Sequence, residues 1–319
     1  GKTIGELAVM ITPVDSRFAA VAAYCLGMAV FTVMMGNAFA AFPVMTGGIA
    51  LPAEPRQDMT HLLRNAEIAL DAARSEHRTW VEYHPELESS QRADLSLLSE
   101  LKRAVEQDEL RLYLQPKVPL HGQSGWAAEA LVRWQHPQRG LVPPMEFIPF
   151  AEQTGFVRQL TLWMFEEVAH FLALLPATAG ALRVSVNLST RDLLDPELSQ
   201  RLGDILARHG VAASAFCLEI TESAIMDDPQ RAEAMLNRLS EQGFKLSIDD
   251  FGTGYSSLAY LKRLPVDELK IDKSFVMGME AGEDDAMIVR STIDLTHNLG
   301  LTVVAEGVET AAILERLRA

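Results

Sequence analysis

Cysteine is nearly missing from this sequence. Cys25 and Cys217 are the only two in 319 residues, and neither belongs to a CxxC pair or stands at metal-binding spacing from a histidine. A disulfide framework and a cysteine–histidine zinc site are therefore excluded, and the usage fits a reducing compartment. A surplus of positive charge is missing as well. Asp and Glu number 43 against 28 Lys and Arg, a formal net charge of −15, so the surface is not built to neutralise the phosphates of DNA or RNA. Any anionic ligand has to be met by local cations. Disorder is excluded by a hydrophobic content of 48%, ample for a core in a chain of this length.

Charge of either sign is absent from Phe18 to Phe42, "FAAVAAYCLGMAVFTVMMGNAFAAF", a run long enough to cross the hydrocarbon region of a bilayer. A hydrophobic N-terminal helix over 18–42, transmembrane in character, is expected within a segment spanning 1–44. A buried helix of a soluble domain is the alternative, because Gly27, Gly36 and Asn37 dilute the run. A cleaved leader ending near Ala38-Phe39-Ala40 is disfavoured by Glu6 and Asp15 ahead of it. Residues 43–60, with Pro43, Gly47, Gly48, Pro52 and Pro55, read as a linker or a broken strand. Leu62, Leu63, Ala66, Ile68, Ala69 and Leu70 then set up a helix, and a short strand is expected at Thr79–Tyr83. Leu95, Leu98, Leu101 and Val105 mark a connecting helix.

Beyond residue 108 the pattern settles into alternation. Strand-like runs occur at 110–118, 126–134, 182–188, 216–221, 244–249, 268–272 and 301–306, most of them separated by helical patterns. Gly210, Gly243 and Gly300 stand where helices should end. Repeated βα units give either an open doubly wound sheet or a closed (β/α)8 barrel. Seven strands can be counted; the eighth that a closed barrel needs is not seen before "ETAAILERLRA". Alternation also sorts the faces of each strand. Glu129 shares one with Arg133, Ser185 with Asn187, Cys217 with Glu219, and Ser247 with Asp249, while Lys270 opposes Leu269 and Ile271. Most of these polar residues fall near C-terminal strand ends, where a barrel places its active site.

The inward set thus holds Glu129, Asn187, Glu219, Asp249, Asp250 and Glu306, with Lys270 as its lone cation. Adjacent buried carboxylates such as Asp249 and Asp250 need a cation or a shared proton. Oxygen donors without histidine or cysteine suit Mg²⁺ or Mn²⁺, with Ca²⁺ as a non-productive, inhibitory binder. One aspartate could bridge two such ions, the arrangement that activates water against a phosphodiester. Each residue also has a plainer reading. Asp249-Asp250 could be a turn or N-cap, Glu129 and Arg133 a salt bridge, and Asn187 a helix cap. Glu219 and Glu222 could cap a helix, Lys270 could merely neutralise acids, and Glu306 and Glu309 could be exposed turn residues.

The stretches "EALVR" at 129–133, "NLS" at 187–189, "EITES" at 219–223, "DDFGTGYSS" at 249–257, "LKID" at 269–272 and "EGVET" at 306–310 together resemble the EAL-domain cyclic-di-GMP phosphodiesterases. The likeness runs from about residue 92 to the end, within a domain set at 88–319. It implies a modified TIM barrel, here without its last strand, that hydrolyses cyclic di-GMP to linear 5′-pGpG at a two-metal site. By the same resemblance Glu129, Asn187, Glu219 and Asp249 would hold one Mg²⁺ or Mn²⁺, and Asp249, Asp250 and Glu306 the second. Lys270, Glu306, Glu309 and Glu129 would serve catalysis and its water. Arg133 and Asp250 would meet the substrate, and Glu222 would steady the "DDFGTGYSS" loop. A homodimer through this domain and a place at the cytoplasmic face of the inner membrane, or in the cytoplasm, are further implied, with membrane association through 18–42. Residues 45–87 resemble the tail of a GGDEF domain whose signature is lost, since Ile49 and Ala50 follow Gly47-Gly48. The rival reading is an inactive cyclic-di-GMP receptor; retention of every recognisable metal ligand favours the enzyme.

Overall fold

The structure is a computed structural model that describes residues 18–25, 28–35, 44–51, 59–75, 78–120, 125–176, 180–252, 261–280 and 282–318. The chain divides into two units, residues 1–100 and 101–319.

In the first unit, strands β1 (Phe18–Cys25) and β2 (Met28–Met35) pair antiparallel, with Phe18 opposite Met35 and Cys25 opposite Met28. This corrects the expected helix over 18–42: its described part is two paired strands. Val21, Tyr24, Val30, Phe31, Thr32 and Val33 are β-branched or aromatic, and such side chains lose χ1 freedom in a helix but fit a pleated surface. Residues 36–43 of that run lie outside the described residues. Among the described residues no helix is long and apolar enough to cross a membrane.

Strand β3 (Val44–Ile49) adds antiparallel to β2 and pairs parallel with β4 (Trp80–Glu82). Helix α1 (Met59–Ser75) lies between β3 and β4 in sequence and makes the crossover that a parallel pair requires. Its buried residues Leu62, Ala66, Ala69 and Ala73 are spaced by three or four, so they form one stripe. Ala50, Leu62 and Ala66 form a small core with Leu63 and Tyr83 against it. The stretch read as a linker or broken strand is therefore a strand over 44–49. Helix α2 (Pro85–Glu106) follows, longer than the connecting helix that its apolar spacing marked.

All seven expected strands of the second unit form. They are β5 (Leu110–Lys117), β6 (Trp126–His136), β8 (Leu182–Leu188), β9 (Phe216–Thr221), β10 (Lys245–Phe251), β11 (Glu268–Ile271) and β12 (Thr302–Ala305). A further short strand, β7 (Gly140–Val142), folds back on β6. Sheet order is β12-β11-β10-β9-β8-β6-β5, with β7 beside β6. From β6 to β12 these neighbours are parallel, but β5 runs antiparallel to β6. Simple βα repetition does not anticipate that reversal. Only residues 118–125 join β5 to β6, too few for the crossover of a parallel pair, so the chain turns back as a hairpin.

Outward residues such as Val184, Val186, Leu218, Ile220, Leu246, Ile248 and Leu269 are buried against the helical layer in one continuous core. That layer includes α4 (Val157–Leu174), α6 (Leu198–His209) and α8 (Pro229–Glu241). The preceding α3 (Ile148–Thr154) and the short α5 (Thr190–Leu193) and α7 (Glu222–Asp227) lie between these elements in sequence. Gly210 closes α6 in the left-handed region with φ of 66°, the cap that its position predicted.

Gly48 in β3 admits no side chain: a Cβ there would lie 2.2 Å from the Ala66 carbonyl oxygen and 2.3 Å from the Leu70 nitrogen. Both obstacles are backbone, so α1 must move away to accommodate it. Gly48→Ala is expected to cost about 1–3 kcal/mol locally, the usual penalty of overpacking. Amide exchange of α1 should accelerate in the variant while β8 to β10 keep their protection; unchanged α1 protection would contradict this packing.

Candidate functional site

The parallel strands β6 and β8 to β12 all end on one side of their sheet. Register sets the interior layers: Asn187 on β8 stands beside Glu219 on β9, which stands beside Ser247 on β10. Glu129 on β6 is reached by the Asn187 amide, whose Nδ2 donates to Oε1 at 3.0 Å. Strict alternation would send the neighbouring Asp249 and Asp250 to opposite faces. It is broken here. Between Ile248 and Phe251 the register against β11 shifts, and Asp250 adopts a φ of 54°. Aspartate is among the few side chains that tolerate this left-handed conformation, and Gly252 follows at φ 100°. Oxygens of Asp249, Asp250 and Glu306 consequently lie within 4.8 Å of one another. Glu306 follows β12, and the next residue, Gly307 at φ 70°, packs so closely that a Cβ would sit 2.7 Å from Lys273 Cβ. That contact holds the Glu306 turn against helix α9 (Lys273–Gly278), just beyond β11.

Lys270 lies at the centre, buried to 1% exposure. Its Nζ is 2.7 Å from Glu219 Oε2, 3.0 Å from Asp249 Oδ2, 3.2 Å from Glu129 Oε2 and 2.6 Å from Glu306 Oε1. Burial opposes its charge, but Glu219, Asp249, Glu129 and Glu306 outweigh that and hold its pKa far above the ordinary lysine value. The acids respond unequally. Burial and the nearby Glu219 raise Glu129, and burial raises Glu306 despite Lys270. Burial, then Asp249 and Asp272, raise Asp250. Glu219 goes the other way, because Lys270 and Lys117 together overcome its burial.

Lys117 corrects the reading of Lys270 as the lone inward cation. Its Nζ lies 2.8 Å from Glu219 Oε1 and 2.8 Å from Glu268 Oε1. Lys117 shares strand parity with Tyr113 and Gln115, so alternation marks its face, but only the reversal of β5 brings its depth to light. Lys117 sits opposite Ala127, two residues before Glu129, on the deep side of the site. Glu268, also unassigned from sequence, occupies the corresponding inner position of β11.

The remaining expected residues are less uniformly placed. Arg133 shares the inward face with Glu129; its Nη1 donates to the Val132 carbonyl at 2.9 Å and its guanidinium lies 5.8 Å from the centroid of the Tyr113 ring. Glu222, at the start of α7, is buried and accepts the Gly252 N–H on Oε2 at 3.3 Å, while its Oε1 has no hydrogen-bond partner among the described residues. It therefore grips the first turn after Asp250; residues 253–260 lie outside the described residues. Glu309 is exposed beyond β12, and no hydrogen bond or ion pair among the described residues joins it to the cluster. Asn187 is not itself the helix cap: Ser189 caps α5, in a reciprocal box with Asp192.

In all, Glu129, Glu219, Asp249, Asp250, Glu268 and Glu306 face two ammonium groups, an excess of negative charge. The donors nearest the strand ends are all oxygens. Such a set fits hard divalent cations and can bring water and a phosphate ester together around them.

Comparison with known proteins gives concordant results. The EAL domain family matches residues 98–319, and a protein family of unknown function, DUF979, matches residues 1–61. The chain is 39% identical over 272 residues to the bifunctional diguanylate cyclase/cyclic di-GMP phosphodiesterase MucR of Pseudomonas aeruginosa, covering 85% of this chain and 40% of that protein. It is 36% identical over 265 residues to the cyclic di-GMP phosphodiesterase PdeR of Escherichia coli, covering 83% and 40%. The chain thus spans about two fifths of the length of these curated relatives. Among solved structures, the PaMucR phosphodiesterase in complex with c-di-GMP matches with a TM-score of 0.66 at 42% identity, over 70% of this chain and 90% of that one. The EAL domain of FimX from Pseudomonas aeruginosa bound to c-di-GMP matches with a TM-score of 0.65 at 27% identity, over 70% and 89%.

Removing Lys270 leaves its carboxylates buried without their shared cation. With a chelator present, Lys270→Met is expected to lose about 3–5 kcal/mol of stability, the cost of breaking a buried ion pair. Urea unfolding at neutral pH measures it, and a loss below about 1 kcal/mol would mean that Lys270 does not hold the ring together.

Proposed function

The chain belongs to the EAL domain family, and on that premise we propose that it hydrolyses cyclic di-GMP to linear 5′-pGpG with Mg²⁺ or Mn²⁺. The observation that carries the reading is the set of oxygens from Asp249, Asp250 and Glu306 gathered within 4.8 Å beside the Lys270 ring. Glu129, Asn187, Glu219 and Asp249 are assigned to one ion, and Asp249, Asp250 and Glu306 to the second. Ions held there polarise a phosphate oxygen and lower the pKa of water. Ca²⁺ prefers larger and more flexible coordination, so it is assigned as an inhibitor.

Lys270, set among the four carboxylates, is assigned to orient the attacking water rather than to take its proton. The proton is assigned to a carboxylate, and Glu129 and Glu306 lie within reach of the ring. Arg133 supplies the local cation for a substrate phosphate, and Asp250 faces the same substrate. Glu222 fixes the turn after Asp250 through the Gly252 N–H, and Glu309 belongs to the water network at the rim. A homodimer through the EAL domain, and action at the cytoplasmic face of the inner membrane or in the cytoplasm, complete the reading.

The first unit we read as a remnant of a GGDEF domain. Its parallel β3 and β4 joined through α1 support this. So does the match to the bifunctional protein MucR, which at 272 residues is too long to be confined to residues 98–319. Without the cyclase signature the remnant is assigned no synthetic activity.

Incubating the full chain with cyclic di-GMP and Mn²⁺ is expected to give the linear dinucleotide on chromatography, and chelator or Ca²⁺ to suppress it. Glu129→Ala and Asp249→Asn should each lower turnover by more than about a hundredfold, since even partners of metal ligands cost up to that much. Turnover that survives the chelator would overturn the metal mechanism. Ligand binding without any product would favour the receptor instead.

A further inference from the structure

Lys117 is absent from the assigned machinery, yet its geometry is as specific as that of any residue within it. It belongs to β5, at one edge of the sheet, and Glu268 belongs to β11, next to the opposite edge. An ammonium from β5 can lie 2.8 Å from Glu268 only because the sheet curls until its two ends approach. The same nitrogen lies 2.8 Å from Glu219 Oε1. Glu219 is thereby held at both oxygens, by Lys117 from the deep side and by Lys270 on Oε2 at 2.7 Å from the side of the site. Its side chain is fully buried, and those of Lys117 and Glu268 are 14% and 13% exposed, so water competes little for these bonds.

A carboxylate fastened at one oxygen cannot rotate to offer that oxygen elsewhere. Glu219 therefore presents Oε2 in a fixed direction, toward Lys270 and the ring. Burial works against the Lys117 charge, but Glu219 and Glu268 raise its pKa to about 12, so the clasp stays ionised across the neutral range. Ser247 stands between Glu219 and Glu268 in the register, and its buried hydroxyl has no hydrogen-bond partner among the described residues. The link between the two acids is made by the lysine that reaches across from β5.

We propose that Lys117, braced by Glu268, is a positioning residue that presents Glu219 to a divalent cation and clasps the two ends of the curled sheet beneath the site. This rests on the metal-dependent reading above. It also has a diagnostic sign. Deleting a positive charge near a cation site should, by electrostatics alone, tighten cation binding; loss of positioning should weaken it.

Mn²⁺ affinity of the full chain is therefore measured by titration calorimetry at fixed pH, with thermal unfolding alongside, for the unaltered protein and two variants. Lys117→Met removes the clasp. The double variant Lys117→Met with Glu268→Met removes it without changing net charge, and it guards against a single variant that fails to fold, because an apolar pair can replace a buried ion pair at little cost. Both are expected to bind Mn²⁺ about 10- to 100-fold more weakly, the usual effect of losing a partner of a metal ligand. Equal or tighter binding by the folded double variant would overturn the positioning role, even if its melting temperature fell. Failure of the unaltered protein to bind Mn²⁺ would instead overturn the metal reading, and this inference with it.

Discussion

One buried ammonium organises the second unit. The four carboxylates around Lys270 come from β6, β9, β10 and the end of β12, and its ammonium stands among them. Each acid alone in such an interior would be neutralised or expelled. Their common attraction to Lys270 therefore holds the converging strand ends together. Lys117 repeats the device one layer deeper, from the opposite edge.

Local backbone irregularity does the complementary work. Regular strands alternate faces, so a flawless β10 could offer Asp249 or Asp250 to the interior but not both. The register shift, the left-handed Asp250 and Gly252 at φ 100° remove that restriction. Gly307 makes a similar concession just after β12, accepting contact with Lys273 that a side chain would forbid and so holding Glu306 beside Lys270. A left-handed residue and a close glycine contact thus both occur where acids have to converge. Glu222 anchors the first of these turns from below.

Much of this was legible in the order of residues. Apolar alternation located the seven strands of the second unit, and parity put Glu129, Asn187, Glu219, Asp249 and Lys270 on the inner face. Three features were not legible. Phe18 to Met35 is uniformly apolar, and hydropathy, which ignores its β-branched and aromatic content, pointed to a helix where two strands pair. The reversal of β5 depended on how short the 118–125 connection is, and missing it hid the depth of Lys117. Glu306 and Glu309 share one motif and one alternative reading as exposed turn residues, and only the structure separates the half-buried Glu306 from the exposed Glu309.

The sequence by itself determined which residue types the interior holds, because alternation and hydrophobic spacing are local properties that need no knowledge of partners. It also determined that the site would be rich in oxygen donors and poor in cations. Only the tertiary structure decided which acids share Lys270, that Glu219 is held from both sides, and that a second lysine reaches it from the far edge. Those contacts join residues from 21 to 151 positions apart, the longest being Lys117 with Glu268. Their distances follow from sheet curl and strand direction, which arise from the packing of the whole sheet rather than from any one segment of it.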